Sequence, residues 1–410
     1  MPKSADYDAV VVGAGPNGLA AAITLVRRFR RVLLLEAEKT VGGGVRSAEL
    51  TLPGFLHDVC SAIQPLSLAS PFFRQLDLPQ YGLEWIQPEI PLAHPFEDGS
   101  ALFLHRSLEV TADAMGADGK AYRRLLQPFA ENSEMLFAEL LQPLHFPGRP
   151  FLVIRFALQG LRSARGLAET TFQDNRTRTL FAGLAAHAMI PLEKPATAAF
   201  GIVLATLAHT VGWPIIRGGS QKLADALANC FRNDGGEIVA AHRIDAMSKL
   251  PQAAYYFFDV TPRQLIHMKG LGLSNSYCKR LSRFRYGPGV YKMDWALREP
   301  IPWKADVCRK AGTVHLGGSL EEIAASIRDV NAGRVSSSPY IVLAQQSLFD
   351  PLRAPAGGQT AWAYCHVPHG SAANVSALIE DKIERYAPGF RDVILARNAL
   401  SAAALEQYNA

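Results

Sequence analysis

Val10-Val-Val-Gly13-Ala-Gly15-Pro-Asn-Gly18-Leu-Ala-Ala-Ala22 passes from three β-branched residues, through three glycines, into a run of helix formers. Three glycines in six positions arise often by chance, so the flanking residues decide the reading. Ahead of the turn, Asp8 to Val12 is a short apolar run of the kind that forms a central parallel strand, and Leu19 to Arg28 behind it predicts a helix. The next run, Arg31-Val-Leu-Leu-Leu-Glu36, predicts a second buried strand and ends in an acid 18 residues beyond Gly18. Strand, glycine turn, helix, strand and terminal acid together make a βαβ unit built for a dinucleotide. In that unit Gly13 allows the tight turn, Gly15 lets the backbone approach a pyrophosphate, and Gly18 lets helix and strand pack closely. The phosphates sit at the helix N-terminus, with Pro16 and Asn17 in the same turn. Glu36 is expected on the ribose hydroxyls, which favours an unphosphorylated adenosine.

The remaining composition narrows the class of protein. At about 150 residues per domain, a chain of 410 residues predicts two or three domains. Hydrophobic residues at 49% and charged residues at 19% predict a folded protein with long buried elements. The net charge of +5 is spread thinly with no block of like charges, so no nucleic-acid partner is expected. Cys60, Cys230, Cys278, Cys308 and Cys365 are far apart and form no C-x-x-C pair, which predicts reduced core residues in a cytoplasmic protein. The N-terminal residues lead straight into the first strand without an apolar signal region. Pro195 to Ile216 carries no Lys, Arg, Asp or Glu and is long enough to span a bilayer. Its Ala, Thr and Gly content, His209 and the closing Trp213-Pro214 predict a buried core helix instead. Arg149 to Arg165 is apolar with arginines at helical spacing. The favoured reading is an amphipathic helix with one solvated face; the alternative is peripheral contact with the inner face of a membrane.

The choice of dinucleotide rests on Glu36-Ala37-Glu-Lys-Thr-Val-Gly42-Gly43-Gly44-Val-Arg46-Ser47. A glycine loop ending in arginine directly after the acidic strand end resembles the second flavin signature of the large FAD-dependent oxidoreductase and amine oxidase group. The resemblance implies that the glycines let backbone and flavin approach and that Arg46 meets the diphosphate. The expected cofactor is therefore FAD.

Further along, the chain carries Leu52-Pro-Gly-Phe-Leu-His57-Asp58-Val-Cys-Ser-Ala-Ile-Gln-Pro65, Gly218-Gly-Ser-Gln-Lys, Asp259-Val-Thr-Pro-Arg, Tyr291-Lys-Met-Asp-Trp-Ala-Leu and Gly357-Gly-Gln-Thr-Ala-Trp-Ala-Tyr-Cys-His-Val-Pro-His369. With these motifs the whole chain resembles the phytoene desaturase-related FAD-dependent oxidoreductases, in their broad bacterial branch. The resemblance implies an α/β fold in which a Rossmann-like, amine-oxidase-like FAD-binding domain, over 1–75 and 205–275, is interrupted by a mixed α+β substrate domain, over 76–204 and 276–410. It places a backbone group of Ile244 at the adenine and implies an abbreviated antiparallel meander before Asp259. It also implies a glycine-rich piece after Leu405-Glu-Gln-Tyr-Asn409 that closes over the flavin. The chain stops at Ala410, so a C-terminally shortened member is expected.

Chemistry in this group is hydride transfer to the flavin, positioned by the protein. The expected activity is dehydrogenation or isomerisation of an apolar small molecule. The alternatives are an amine-oxidase-like flavoenzyme and a flavin-free remnant with a binding role. Phe284 to Leu297 predicts two strands about a Gly-Pro-Gly turn, with Lys292 and Asp294 on one face and Tyr291, Met293 and Trp295 on the other. Lys292 is the candidate for approaching the flavin from the substrate sheet; an ion pair with Asp294 is the blander expectation. His57-Asp58 reads as structural or as neighbours of the cofactor. His366-Val-Pro-His369 lacks the helical geometry and companion ligands of a metal site, so no metal is expected. No Gly-x-Ser-x-Gly elbow supports hydrolysis.

Overall fold

The computed structural model describes residues 6–409. The chain begins with β1 (Tyr7–Val12), α1 (Pro16–Val26), β2 (Val32–Leu35), β3 (Ser47–Glu49), β4 (Leu56–Asp58), β5 (Trp85–Ile86), β6 (Ile90–Pro95) and β7 (Ala101–Leu104). The main helices of the next stretch are α2 (Gly119–Ala130), α3 (Pro150–Gly160), α4 (Asn175–Ala186) and α5 (Thr197–His209). There follow β8 (Ile215–Ile216), α6 (Gln221–Asn233), β9 (Glu237–Val239), β10 (Ala253–Phe258), β11 (Gly289–Leu297), β12 (Ala311–Leu316) and α7 (Leu320–Asn331). The last part holds β13 (Ile341–Ala344), β14 (Gln359–Val367), α8 (Ser376–Tyr386), β15 (Ile394–Leu400) and α9 (Ala402–Tyr408).

Two sheets organise these elements. The smaller has the order β10-β1-β2-β9 and is parallel throughout. Its central strand is apolar on both faces because both faces are covered, as parallel sheets require. Helices α1 and α6 pack side by side on one face, where Leu19, Ile23, Leu223, Leu227 and Phe231 are buried together. Burying each such side chain contributes about 1.5–3 kcal/mol. From β9 to β10 the chain passes through residues 240–252 with only a short 3-10 turn, so the meander is abbreviated.

The larger sheet has the order β15-β11-β14-β13-β12-β6-β7, with β12·β6 as its one parallel pair among the described residues. Alternation along β11, β13 and β14 sends successive side chains to opposite faces. Met293, Trp295, Val314, Leu343, Ala363 and Cys365 enter a core closed by Ile379 and Ile383 of α8. The opposite face packs Val342, Ala344 and Trp362 over Leu180, Leu184, Ile202 and Ala205 of α4 and α5. The uncharged stretch before Ile216 is thus a core helix, and among the described residues no helix is long and apolar enough to cross a membrane.

Three expectations are corrected. Residues 284–288 form no strand, and only β11 is present after the turn. Both edges of β11 are taken by β14 and β15 from later in the chain, and Pro288 cannot donate to a ladder. The exposed side of α3 is not polar: Phe151, Ile154 and Leu158 stand in solvent beside Arg155, and only Phe156 and Gly160 are buried. Finally, Cys60 and Cys278 are only half-buried, whereas Cys230, Cys308 and Cys365 lie in the core.

Candidate active site

The turn after β1 is compact because its glycines leave no room for side chains. Gly13 has φ +102°, and a Cβ there would sit 2.5 Å from the Asp259 carbonyl oxygen. A Cβ on Gly18 would sit 1.9 Å from the Gly13 carbonyl oxygen, so only glycine brings α1 this close to β1. Gly15 is the N-cap of α1, and Pro16 occupies the first turn, where its missing N–H costs nothing. Above this turn opens a cavity of about 560 Å³ lined by Gly13, Gly15, Pro16, Asn17, Glu36, Ala37, Gly43, Gly44 and Ile244. Nine of the eleven residues expected to touch the cofactor therefore surround one space.

Glu36 is almost wholly buried, and its carboxylate accepts from the N–H groups of Ala14 and Glu38, both at 2.9 Å. These bonds fix the acid at the end of β2 facing the cavity. Gly18 and Arg46, the other two expected residues, do not line it. The Gly18 N–H donates to Asp259 Oδ2 at 2.7 Å, so that helix-terminal amide is satisfied by the chain itself. Burial and the neighbouring Glu36 hold the Asp259 carboxyl above its ordinary range. Arg46 donates through Nε to the Gly43 carbonyl (3.1 Å) and through Nη2 to the Tyr408 carbonyl (2.6 Å), and its guanidinium lies 4.1 Å from the Tyr408 ring centre. It therefore clamps the glycine loop to α9 rather than facing the cavity.

A second cavity, of about 410 Å³, lies between the large sheet and the segment after β4. Its walls include Cys60, Ile63, His187, Leu204, Trp213, Val290, Lys292, Thr313, Val342, Trp362 and Tyr364. The two cavities meet across the glycine loop. Gly44 lines the first, and its Cβ position would lie 4.0 Å from the Cβ of Cys60, which lines the second. Gly42 and Gly43 both have positive φ, so the loop bends there as only glycine does cheaply.

Lys292 lies on this second wall with its ammonium bonded to both carboxylate oxygens of Asp294. The pair is buried, and burial pushes the lysine down and the aspartic acid up from their ordinary values. His57 Nδ1 approaches Asp294 Oδ1 at 3.6 Å, but burial and the charges of Lys292 and Arg353 lower its pKa to about 3. At neutral pH His57 is uncharged, so this approach is no ion pair.

Asp58 belongs to a separate buried network. Its Oδ1 accepts from Ser47 Oγ and the Ser220 N–H, both at 2.7 Å, and its Oδ2 accepts from Arg353 Nη1 at 2.9 Å. Arg353 also donates to Asp350 Oδ2 (2.9 Å) and to the Ile216 carbonyl (2.8 Å). Asp350 in turn accepts from the Gly218 N–H at 2.7 Å. This clasp ties the flavin loop, the start of α6 and the end of the large sheet together. His366 is in β14, apart from His369 beyond it, and among the described residues no cluster could hold a metal ion.

Sequence reasoning missed Asp259, His242, Arg243, Gln264 and His267 of the first cavity and His187, Thr313 and Trp362 of the second. The alternation of β12 and β14 carries a signal for Thr313 and Trp362, since both fall on the same sheet face as Lys292. Nothing local marks His187, which lies just beyond the end of α4.

The βαβ unit, its glycine turn and the cavity above it are those of a dinucleotide-binding fold, and a second, mainly apolar cavity lies close by. Residues 11–76 match the NAD(P)-binding Rossmann-like domain family. The chain is 25% identical to the mouse pyridine nucleotide-disulfide oxidoreductase domain-containing protein 2, over 98% of this chain and 82% of that protein. It is 32% identical to the hydroxyneurosporene desaturase of Cereibacter sphaeroides over 55% of this chain and 48% of the other. A fatty acid isomerase from P. acnes has the same fold, with TM-score 0.58 and 13% identity over 98% of this chain and 89% of its own. The chain is an FAD-dependent oxidoreductase similar to the phytoene desaturase-related enzymes, and its fold is that of the solved amine oxidases.

Proposed function

We propose that FAD occupies the first cavity and that an apolar small molecule in the second is dehydrogenated or isomerised. The observation that carries this reading is the closeness of the two cavities at Gly44, which lines the first and whose Cβ position would lie 4.0 Å from the Cβ of Cys60 in the second. The diphosphate is assigned to the Gly13–Gly18 turn, the ribose to Glu36 and Ala37, and the adenine to Ile244. Arg46 serves this site by holding the glycine loop in place. When bound, FAD supplies hydride acceptance. The chain's own contribution is to bind, to orient and to exclude water from an apolar chamber. The Lys292–Asp294 pair places a fixed dipole in its wall. The FAD-binding domain is assigned to 1–75 and 205–275 and the substrate domain to 76–204 and 276–410. The 204/205 boundary falls within α5 (Thr197–His209).

An absorption spectrum of the purified chain, with heat release of the chromophore, tests the reading. Visible flavin bands and released FAD are expected. A colourless protein that takes up no added FAD overturns it.

The exposed apolar face of α3 supports a peripheral role at the inner membrane face. Leu144, Phe146, Phe151, Ile154, Leu158 and Leu161 are exposed within eighteen residues, and no acid occurs between Glu139 and Glu169. Arg149 and Arg155, both exposed, complement anionic headgroups. In sedimentation with vesicles of phosphatidylcholine and phosphatidylglycerol the chain is expected in the pellet. Retention in the supernatant refutes this docking.

A further inference from the structure

The second cavity is apolar over most of its wall, yet it contains polar atoms that the protein leaves without partners. Thr313 Oγ1 and Trp362 Nε1 are both buried and make no hydrogen bond among the described residues, although both side chains line the chamber. Thr313 is 1% exposed and Trp362 6% exposed, so neither group is served by bulk water. Buried donors in folded proteins are nearly always satisfied, because leaving one bare costs about 1–3 kcal/mol.

The sheet register explains why the two atoms share one place. Thr313 of β12 is paired with Ala344 of β13, and Ala344 is paired with Trp362 of β14. The three residues form a row across the sheet, on the face that looks into the chamber. The outer strands of the row are separated by roughly 9–10 Å, twice the interstrand spacing. Between them stands alanine, whose short side chain leaves the gap open. The next row repeats the pattern: His315 pairs with Val342 and Val342 with Tyr364, while His187, which caps the C-terminus of α4, places its Nε2 3.1 Å from His315 Nε2.

The charges of this wall are equally specific. Lys292 is the one lysine or arginine among the residues lining the chamber, and Asp294 neutralises it; no aspartate or glutamate lines the chamber. Burial lowers His187 to about 4 and holds the Cys60 thiol above its usual value, so both are uncharged at neutral pH. An ammonium or carboxylate ligand entering here would leave its hydration without meeting a free counter-charge, which is strongly unfavourable. A pure hydrocarbon would leave Thr313 and Trp362 unsatisfied.

We propose that the chamber is built for an uncharged, mainly apolar ligand bearing one hydroxyl or carbonyl oxygen, held in the Thr313–Ala344–Trp362 row. The Trp362 Nε1–H donates to that oxygen, and the Thr313 hydroxyl donates to it or accepts from it. His187 stands at the adjoining wall. The assignment rests on the reading of this chamber as the substrate site, and it sets the substrate class apart from amines, acids and simple alkenes.

The test is calorimetric binding of three probes of one carbon skeleton, geraniol, its deoxygenated hydrocarbon and geranylamine, to the full chain, with flavin content read from the visible spectrum of the same samples. Geraniol is expected to bind about tenfold more tightly than the hydrocarbon, and geranylamine more weakly than either. Trp362→Phe and the near-isosteric Thr313→Val are each expected to reduce the alcohol-to-hydrocarbon ratio by roughly three- to tenfold. Equal affinity of alcohol and hydrocarbon, or a ratio unaffected by Thr313→Val, overturns the proposal, since the polar atoms are then satisfied by water. A chain that discriminates the alcohol but takes up no FAD overturns the oxidoreductase reading and leaves this one standing.

Discussion

Replacing Arg353 by methionine removes the positive centre of the buried clasp while nearly conserving its volume. The guanidinium is fully buried and makes one bond each to Asp58, Asp350 and the Ile216 carbonyl. Without it, two fully buried carboxylates share a site with no counter-charge. Breaking a buried ion pair from one side costs about 3–5 kcal/mol, because the surviving charge is uncompensated. Here two charges survive, so the upper part of that range applies. Each carboxylate retains backbone donors, Ser220 N–H for Asp58 and Gly218 N–H for Asp350, and these keep the loss from growing beyond it. The assay is urea unfolding of Arg353→Met and of the parent chain, followed by circular dichroism at pH 7.5 and at pH 5.0. The variant is expected to lose roughly 4–5 kcal/mol at the higher pH. The gap should narrow at the lower pH, because protonating the two carboxylic acids removes the uncompensated charge. A loss under 1 kcal/mol, or a gap that widens with acid, would show that the clasp does not act electrostatically.

Gly18→Ala places a Cβ against the Gly13 carbonyl, and overpacking of this kind costs about 1–3 kcal/mol or more; the chain should lose both thermal stability and FAD uptake, and a variant with the parent's flavin content would count against the packing role. Arg46→Ala frees the glycine loop from α9 and is expected to weaken FAD retention on gel filtration; an unchanged ratio of flavin to protein absorbance refutes the clamp. Acid should unfold the chain above the range typical of carboxylate titration. His57, His94 and His366 are lowered by burial to about 3 and His187 and His209 to about 4, so each adds stability that is complete above the ordinary histidine pKa and is lost as pH falls toward these values. Five such groups give a slope of roughly 7 kcal/mol per pH unit at its steepest. Near-ultraviolet circular dichroism is expected to collapse between pH 6 and pH 4.5, and native spectra at pH 4.5 would refute the linkage.

The first βαβ unit was legible because its signals are local: an apolar strand, glycines in one turn, a helix and an acid at a fixed spacing. The face of β11 that carries Lys292 was legible for the same reason, since alternation is a property of neighbouring residues. Its partners were not. The expected hairpin at Gly287-Pro288-Gly289 failed because β11 pairs with strands roughly 60 to 110 residues later, and no short-range pattern reports such pairing. The bond from Arg46 to the Tyr408 carbonyl was not legible, because the two residues lie 362 positions apart. Asp58 looked like half of a polar loop pair. Its function as a clasp depends on Arg353 and Ser220, which only the folded chain brings to it. The exposed apolar side of α3 is a different kind of failure: helical periodicity was present, but it does not say which stripe is covered.

The glycine turn and its closing residue have a consequence in time as well as in space. The Gly18 amide is satisfied by Asp259, 241 positions further on, and β1 gains its outer neighbour only when β10 has been made. At a synthesis rate of about 5–20 residues per second, the N-terminal strand and its helix wait roughly 12–50 s for these partners. For that interval Val10, Val11 and Val12 are paired with β2 alone and keep one open strand edge. Contacts of this sequence separation are slow to form even in the finished chain. The interval in which the chain is most exposed to aggregation, and most dependent on chaperones, is thus set by the distance between its first strand and the residue that closes the turn behind it.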